Sequence, residues 1–385
     1  MSLLEHAAWY APLAAYEQQA EALWNAYRAQ NARAIKLFHE NLPRFLDTQV
    51  KWLPRNLEEN EIERASLTLD DARLALARTY SFQDWNSLTA LVNAVADNNS
   101  AVHEFEHAVE AVITGDLSTL QKMLQTNPAL VHARSTRVTC HDPAVHAATL
   151  LHYTGANGVE GYRQKSPLNG EAIARCLLSA GAVADALAGM YGSPTPTLSM
   201  LVSSTPPSES GVQVAIAHAL IDFGADVEGA GTGTWKSPLL TALVFGFKSA
   251  ADALVARGAL VDNVTKAAGV GRADLCREFL PRSSALERHA ALALASICGH
   301  RDVVQLLVES GEDPDRRNPD GFHSHATPLH QAACGGHLDV VKTLVSLGAR
   351  TDIEDNLWHS DALGWAEHCE QPHVAEFLRT VTARA

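Results

Sequence analysis

The feature that most restricts this chain is an apolar pattern that keeps returning: two adjacent apolar residues, two more one helical turn later, and a glycine soon after. It reads Ile173, Ala174, Leu177, Leu178 before Gly181; Ile216, Ala217, Leu220, Ile221 before Gly224; and Ala250, Ala251, Leu254, Val255 before Gly258. It reads again as Val303, Val304, Leu307, Val308 before Gly311, and as Val340, Val341, Leu344, Val345 before Gly348. The spacing i, i+1, i+4, i+5 places all of these on one face of an α-helix. A glycine just past the last turn takes the left-handed conformation that ends a helix without a steric penalty. A helix with one apolar face must bury it against neighbours, and a recurring unit of this kind describes a stack in which each helix pair packs on the next. The glycines fall 43, 34, 53 and 37 residues apart, so the units carry insertions. The longest gap holds a degenerate unit around Leu275, Cys276, Phe279 and Leu280.

The most complete unit runs from Ala326 to Asp352. Thr327 stands where its hydroxyl would cap a first helix. Pro328 takes the first helical position, where its missing N–H does no harm. Ala332 and Ala333 let adjacent helices approach, and Gly336 permits the tight turn into a second, antiparallel helix. With Thr327-Pro328-Leu329-His330, Gly336-His337-Leu338-Asp339-Val340-Val341 and the Gly348-Ala349 ending, this unit resembles the ankyrin repeat. A further unit is expected near Phe105, with Leu120, Met123 and Leu124 on its second helix, and a last one from Asp361 with Val374, Ala375 and Leu378. The resemblance implies an all-α ankyrin-repeat solenoid of about eight irregular helix-turn-helix units over residues 101–385.

Residues 1–100 lie outside the repeat and read as helices. Leu13, Tyr16, Ala20, Leu23 and Tyr27 recur at helical spacing, Ala32 to Phe38 suits a second helix, and Pro43 and Pro54 break the helical pattern beyond it. Thr68-Leu69-Asp70-Asp71 reads as a capped helix start with acidic residues in its first turn. Trp85, Leu88, Leu91 or Val92, and Val95 mark another helix. Asp71 to Val95 resembles the N-terminal helical module of many bacterial ankyrin-repeat proteins, which implies a cap over the open end of the first repeat.

Thirty basic against forty-four acidic side chains leave a formal charge of −14, with no basic stripe of the kind that binds nucleic acid. No apolar run reaches membrane-spanning length, and the first residues carry no signal-like pattern, so a cytoplasmic protein is expected, binding neither nucleic acid nor membrane. The six cysteines are scattered, without a C-x-x-C pair; reduced cysteines on buried helix faces are expected. No phosphate-binding loop or hydrolase elbow is present, and no cofactor is expected.

Insertions depart from the plain repeat at His132 to Ala148, Val159 to Leu168, Ala188 to Pro196, Ser203 to Gly211 and Asp313 to Ala326. Long ordered loops are often functional. Near them stand the candidate binding residues Tyr153, Tyr162, Trp235, His323, His325, His330, Trp358, His359 and Trp365. The resemblance implies that His330, like His152, uses its ring to bond backbone within the stack, and Trp365 also suits plain packing. His323, His325 and His330 form a weak candidate metal set with no standard spacing. His359 with Asp361, or His325, would be the acid–base candidates, since a carboxylate orients and charges an imidazole. The leading expectation is a non-enzymatic module holding a partner protein or peptide on its concave face. The alternative is a small-molecule or catalytic pocket closed by the long loops and lined by His, Tyr, Trp and Asp. A third reading makes the N-terminal helices a homodimer contact; the sequence leaves the oligomeric state open.

Overall fold

A computed structural model describes residues 5–48, 50, 53–55, 57, 59–156, 158–190, 192–232 and 236–382. Trp235, one of the candidate binding residues, lies outside the described residues. The chain divides into two compact units, Met1–Ala225 and Asp226–Ala385.

The first unit begins with the helices Leu13–Arg28, Ala32–Asn41, Glu59–Glu63, Leu69–Thr79 and Trp85–Ala96. Leu23, Tyr27, Ile35, Phe38, Leu42, Ile62 and Ala72 form one apolar cluster among the first four of them. The Thr68 cap is reciprocal: Asp71 N–H donates to Thr68 Oγ1 at 3.2 Å, and Thr68 N–H donates to Asp71 Oδ2 at 2.8 Å. Such a box satisfies two of the donors that a helix start leaves without partners. The helix Trp85–Ala96 buries Leu88, Val92 and Val95 and packs on Ala101–Thr114, the inner helix of the first repeat.

Three repeats complete this unit: Ala101–Thr114 with Leu117–Thr126, Leu150–Gly155 with Gly170–Ser179, and Thr197–Leu201 with Gln213–Asp222. The inner element of the second is a 3-10 helix. Two insertions carry structure of their own. The finger at 188–196 is an antiparallel hairpin, Leu187–Met190 paired with Ser193–Pro196. The enlarged turn at 203–211 holds the short helix Thr205–Glu209.

The second unit holds five repeats: Pro238–Val244 with Lys248–Ala256, Val264–Gly269 with Ala273–Phe279, Ala285–Ile297 with Arg301–Glu309, Pro328–Cys334 with Leu338–Ser346, and Ala362–His368 with Pro372–Thr382. Its core runs without a break from Val264 and Ala268 through Ala291, Val304, Leu307, Ala333, Val341 and Leu344 to Ala366 and Leu378. The first three positions of each apolar stripe are fully buried, as in Val340, Val341 and Leu344, each contributing about 1.5–3 kcal/mol where the residue is large. Gly336 and Gly348 take φ of +70° and +99°, the left-handed values that the turn and the helix end require. The turn histidines tie neighbouring repeats together: His300 Nε2 donates to Gly269 O and His337 Nε2 to Ile297 O, both at 2.9 Å.

Thr327 forms a reciprocal capping box with His330 at the start of its helix. Its N–H donates to His330 Nδ1 at 3.2 Å, and its Oγ1 lies 2.8 Å from the same nitrogen. Thr149 and His152 repeat this pairing at 3.1 and 2.9 Å.

Candidate functional site

The candidate residues near the end of the chain converge on a cavity of about 530 Å³. The finger 313–326 supplies His323 and His325, the inner helix Pro328–Cys334 supplies Gln331 and Cys334, and the last finger supplies Trp358 and Ser360. Gly364, Trp365 and His368, all on the helix Ala362–His368, and Cys369 just beyond it complete the wall.

Asp355 holds this wall in place. Its side chain is buried at 1% exposure. Oδ1 accepts from the N–H groups of Leu357 and Trp358, both at 2.7 Å. Oδ2 accepts from Ser360 N–H at 3.1 Å and from Trp365 Nε1 at 3.0 Å. One carboxylate therefore folds the 355–360 loop that carries Trp358 and bonds the Trp365 indole directly. Burial raises the Asp355 pKa, but the bonds from Trp365 and from the Trp358, Leu357 and Ser360 backbone outweigh it and hold the carboxyl below its ordinary value. Arg317 secures the other side, donating to His325 O at 2.9 Å and Glu354 O at 2.7 Å.

The rings pack edge against face except His325 and Trp365, whose planes are tilted by 31°. His325 lies 5.2 Å from Trp358 and 5.7 Å from Trp365 between centroids, and the two indoles are 5.7 Å apart. Trp365 also rests 5.3 Å from His330. Burial pushes the His325 pKa down, with His323 adding to the effect, and burial likewise lowers that of His330. At neutral pH both rings are therefore uncharged. The cavity offers indole faces, neutral imidazole and few polar groups, a lining suited to an aliphatic, aromatic or cationic side chain.

The other candidates are placed elsewhere. His330 is 1% exposed, and its Nε2 donates to Ser360 O at 3.1 Å, so both ring nitrogens are spent inside the stack. It cannot join His323 and His325 on a metal. His323 Nε2 instead donates to Val244 O at 3.1 Å. Among the described residues no group of three or more His, Cys, Asp or Glu side chains could hold a metal ion. Asp361 Oδ1 accepts from Gly364 N–H at 2.9 Å and caps the helix Ala362–His368. His359 is exposed, and among the described residues no hydrogen bond joins it to Asp361, so the acid–base pair expected from the sequence is not assembled.

The expectation of reduced cysteines fails at one pair: Cys334 and Cys369 are joined by a disulfide, while Cys140, Cys176, Cys276 and Cys298 are free. Their sequence separation of 35 brings the ends of two adjacent inner helices together.

Tyr153 and Tyr162 belong to a different structure in the first unit. Tyr153 is 1% exposed, and its hydroxyl donates to Glu160 Oε1 at 2.6 Å. The same oxygen accepts from His146 Nε2 at 2.9 Å. Arg137 donates to both oxygens of Glu106, from Nη2 at 2.9 Å and from Nε at 3.3 Å, and Arg163 bonds both Glu106 and Glu160. Tyr162 lies against the Arg137 and Arg163 guanidinium groups at 5.6 and 5.5 Å. Burial opposes ionisation of Glu106 and Glu160, yet Arg137 and Arg163 overcome it and keep both pKa values low. Two carboxylates and two guanidinium groups thus balance in a dry interior. They join the inner helix Ala101–Thr114 to the finger 132–148 and the turn 159–168. These insertions are consumed by packing, and Tyr153 is not available to a ligand at the surface.

With this geometry the stacked helix pairs of the described residues, two of them opened by a Thr–His cap, define a repeat protein, and the chain belongs to the ankyrin-repeat family. A family model for ankyrin repeats (3 copies) matches residues 264–355. The cyclin-dependent kinase inhibitor 2A of Monodelphis domestica is 30% identical over 130 residues, 32% of this chain and 72% of that protein. The mouse protein phosphatase 1 regulatory subunit 27 is 41% identical over 67 residues, 17% of this chain and 41% of that protein. Human apoptosis-stimulating of p53 protein 2 is 36% identical over 67 residues, 17% of this chain, and the match spans only 6% of that relative's length. Among solved structures, the human ASB11 ankyrin repeat domain aligns at 19% identity and a TM-score of 0.36, covering 70% of this chain and 96% of that one. Among the described residues no helix is long and apolar enough to cross a membrane.

Proposed function

We propose that this protein is an interaction module that holds a partner protein or peptide on the surface formed by the fingers and inner helices of its second unit. The cavity between His323, His325, Trp358 and Trp365 receives an anchoring side chain of that partner. The observation that carries this reading is Trp358. It stays 52% exposed at the rim of a cavity of about 530 Å³ although it is one of the two tryptophans that line it. Leaving an indole in water forgoes roughly 2 kcal/mol of burial, and tryptophan beside a pocket is the usual anchor of a protein interface. Membership of the ankyrin-repeat family supports the reading, as do relatives named as a phosphatase regulatory subunit and a kinase inhibitor.

Peptides selected from a display library against the full chain test it. Trp358→Ala and His325→Ala are expected to weaken a selected peptide at least about 10-fold. Leu286→Ala, at another exposed apolar residue of the same unit that does not line the cavity, should leave binding unchanged. Equal affinity in all three variants would overturn the proposal. The cavity volume also suits a small ligand of the kind that fills pockets of roughly 300–1,000 Å³. A small molecule retained by the purified chain in native mass spectrometry, and lost in Trp358→Ala, would establish that second reading instead.

A further inference from the structure

The Cys334–Cys369 disulfide lines the same cavity, and its consequences are independent of what the cavity binds. Cys334 is the last residue of one inner helix and Cys369 comes just after the end of the next, so the bond is a covalent latch between the last two repeats. Both residues are partly exposed, and both face the cavity. The remaining cysteines behave differently. Burial raises their thiol pKa values, to about 11 at Cys276 and about 12 at Cys298, which keeps them protonated and unreactive. Among the residues lining the cavity there is no carboxylate to repel an incoming thiolate.

We propose that this disulfide is a thiol-exchange site open to low-molecular-weight aliphatic thiols through the cavity, and that its opening releases the terminal repeat. The thiol gives up its proton, and its sulfur attacks one sulfur of the pair along the S–S axis. A new S–S bond forms to the small thiol as the old one breaks. The departing cysteine leaves as a thiolate and takes up a proton. One disulfide is consumed and one is formed, so no further oxidant or reductant is needed. Cys369 N–H donates to Trp365 O at 2.9 Å, so the latch sits one turn from the indole that forms the cavity wall. The last repeat has a packing neighbour on one side only among the described residues, and closure of a loop of this length restrains its unfolded state.

The test uses the full chain, purified without reductant and then incubated with reduced glutathione under native conditions. Intact mass and peptide mapping should find one glutathione adduct, confined to Cys334 or Cys369. Amide hydrogen exchange over residues 362–382 should then accelerate by on the order of 100-fold. Cys369→Ser should reproduce the fast exchange without glutathione; if that variant does not fold, the wild-type adduct and exchange still decide. An adduct that forms only after denaturation, or that falls on Cys140, Cys176, Cys276 or Cys298, would overturn the exchange site. So would free thiols at both positions in the untreated protein. An adduct at the pair with unchanged exchange over residues 362–382 would overturn the latch.

Discussion

Asp355 offers the sharpest test of how the cavity is built. Replacing it with alanine removes the acceptor for Leu357 N–H, Trp358 N–H, Ser360 N–H and Trp365 Nε1–H at once. Each donor left buried without a partner costs about 1–3 kcal/mol, and bonds to a charged acceptor lie at the upper end. Water entering from the adjacent cavity would relieve some of them, so about 3–5 kcal/mol is expected in total. The cost falls on the last finger and last repeat, and it is best read as local opening. Amide exchange at Trp358 and Ser360 should accelerate by about two to three orders of magnitude. Asp355→Asn keeps one carbonyl acceptor and should lose about half as much. The pH dependence has a definite sign. A carboxyl whose folded pKa is depressed contributes stability that is present above its unfolded value, near 3.9, and that is lost as pH falls through the lower folded value. A cost below about 1 kcal/mol for Asp355→Ala, with exchange at Trp358 and Ser360 unchanged, would refute the claim that this carboxylate holds the wall.

Two more outcomes concern the first unit. Glu106→Gln strips one charge from a buried pair of carboxylates and a pair of guanidinium groups, and should destabilise the unit by about 3–5 kcal/mol in urea titrations; a shift under about 1 kcal/mol would mean that the network is not buried as described. His152 is fully buried with its pKa lowered to about 4 by desolvation, with Arg134 adding to the effect. Its unfolded form takes up a proton first, so stability is full above about pH 6.5 and declines as pH falls toward 4, by roughly 3 kcal/mol at this site. In His152→Gln that part of the pH dependence should vanish; a profile identical to the wild type would refute the assignment.

The helix pairs are legible in the sequence because their signals are local. The stripe Val340, Val341, Leu344, Val345 with Gly348, and the cap at Thr68 and Asp71, involve residues within two turns of each other. The candidate cavity residues His323, His325, Trp358 and Trp365 are legible too, because their types stand out against repeat positions. Glu106 escapes such a reading, although it shares a face with Val109 and Ile113; a lone carboxylate on an apolar stripe signals a buried cationic partner. Nothing near Arg137 or Arg163 in the chain announces that they are those partners. Asp355 looks like one of several acidic residues in a finger. The Cys334–Cys369 pair carries a usable clue in its separation of 35, close to one repeat period, which sets equivalent positions side by side in the stack.

The sequence by itself determined that this chain forms capped, glycine-terminated helices whose apolar faces need repeating neighbours, because helix periodicity and capping act over three or four residues. Only the tertiary structure decided which inserted loops are spent on a buried charge network and which line a cavity. It also turned His330 and Asp361 from candidate reactive groups into a stacking bond and a helix cap. Apart from the Asp361 cap, those outcomes rest on contacts between residues tens of positions apart, such as Arg163 with Glu106 and His330 with Ser360. Burial and partner geometry decide there whether a polar side chain is satisfied inside the protein or left open to a ligand.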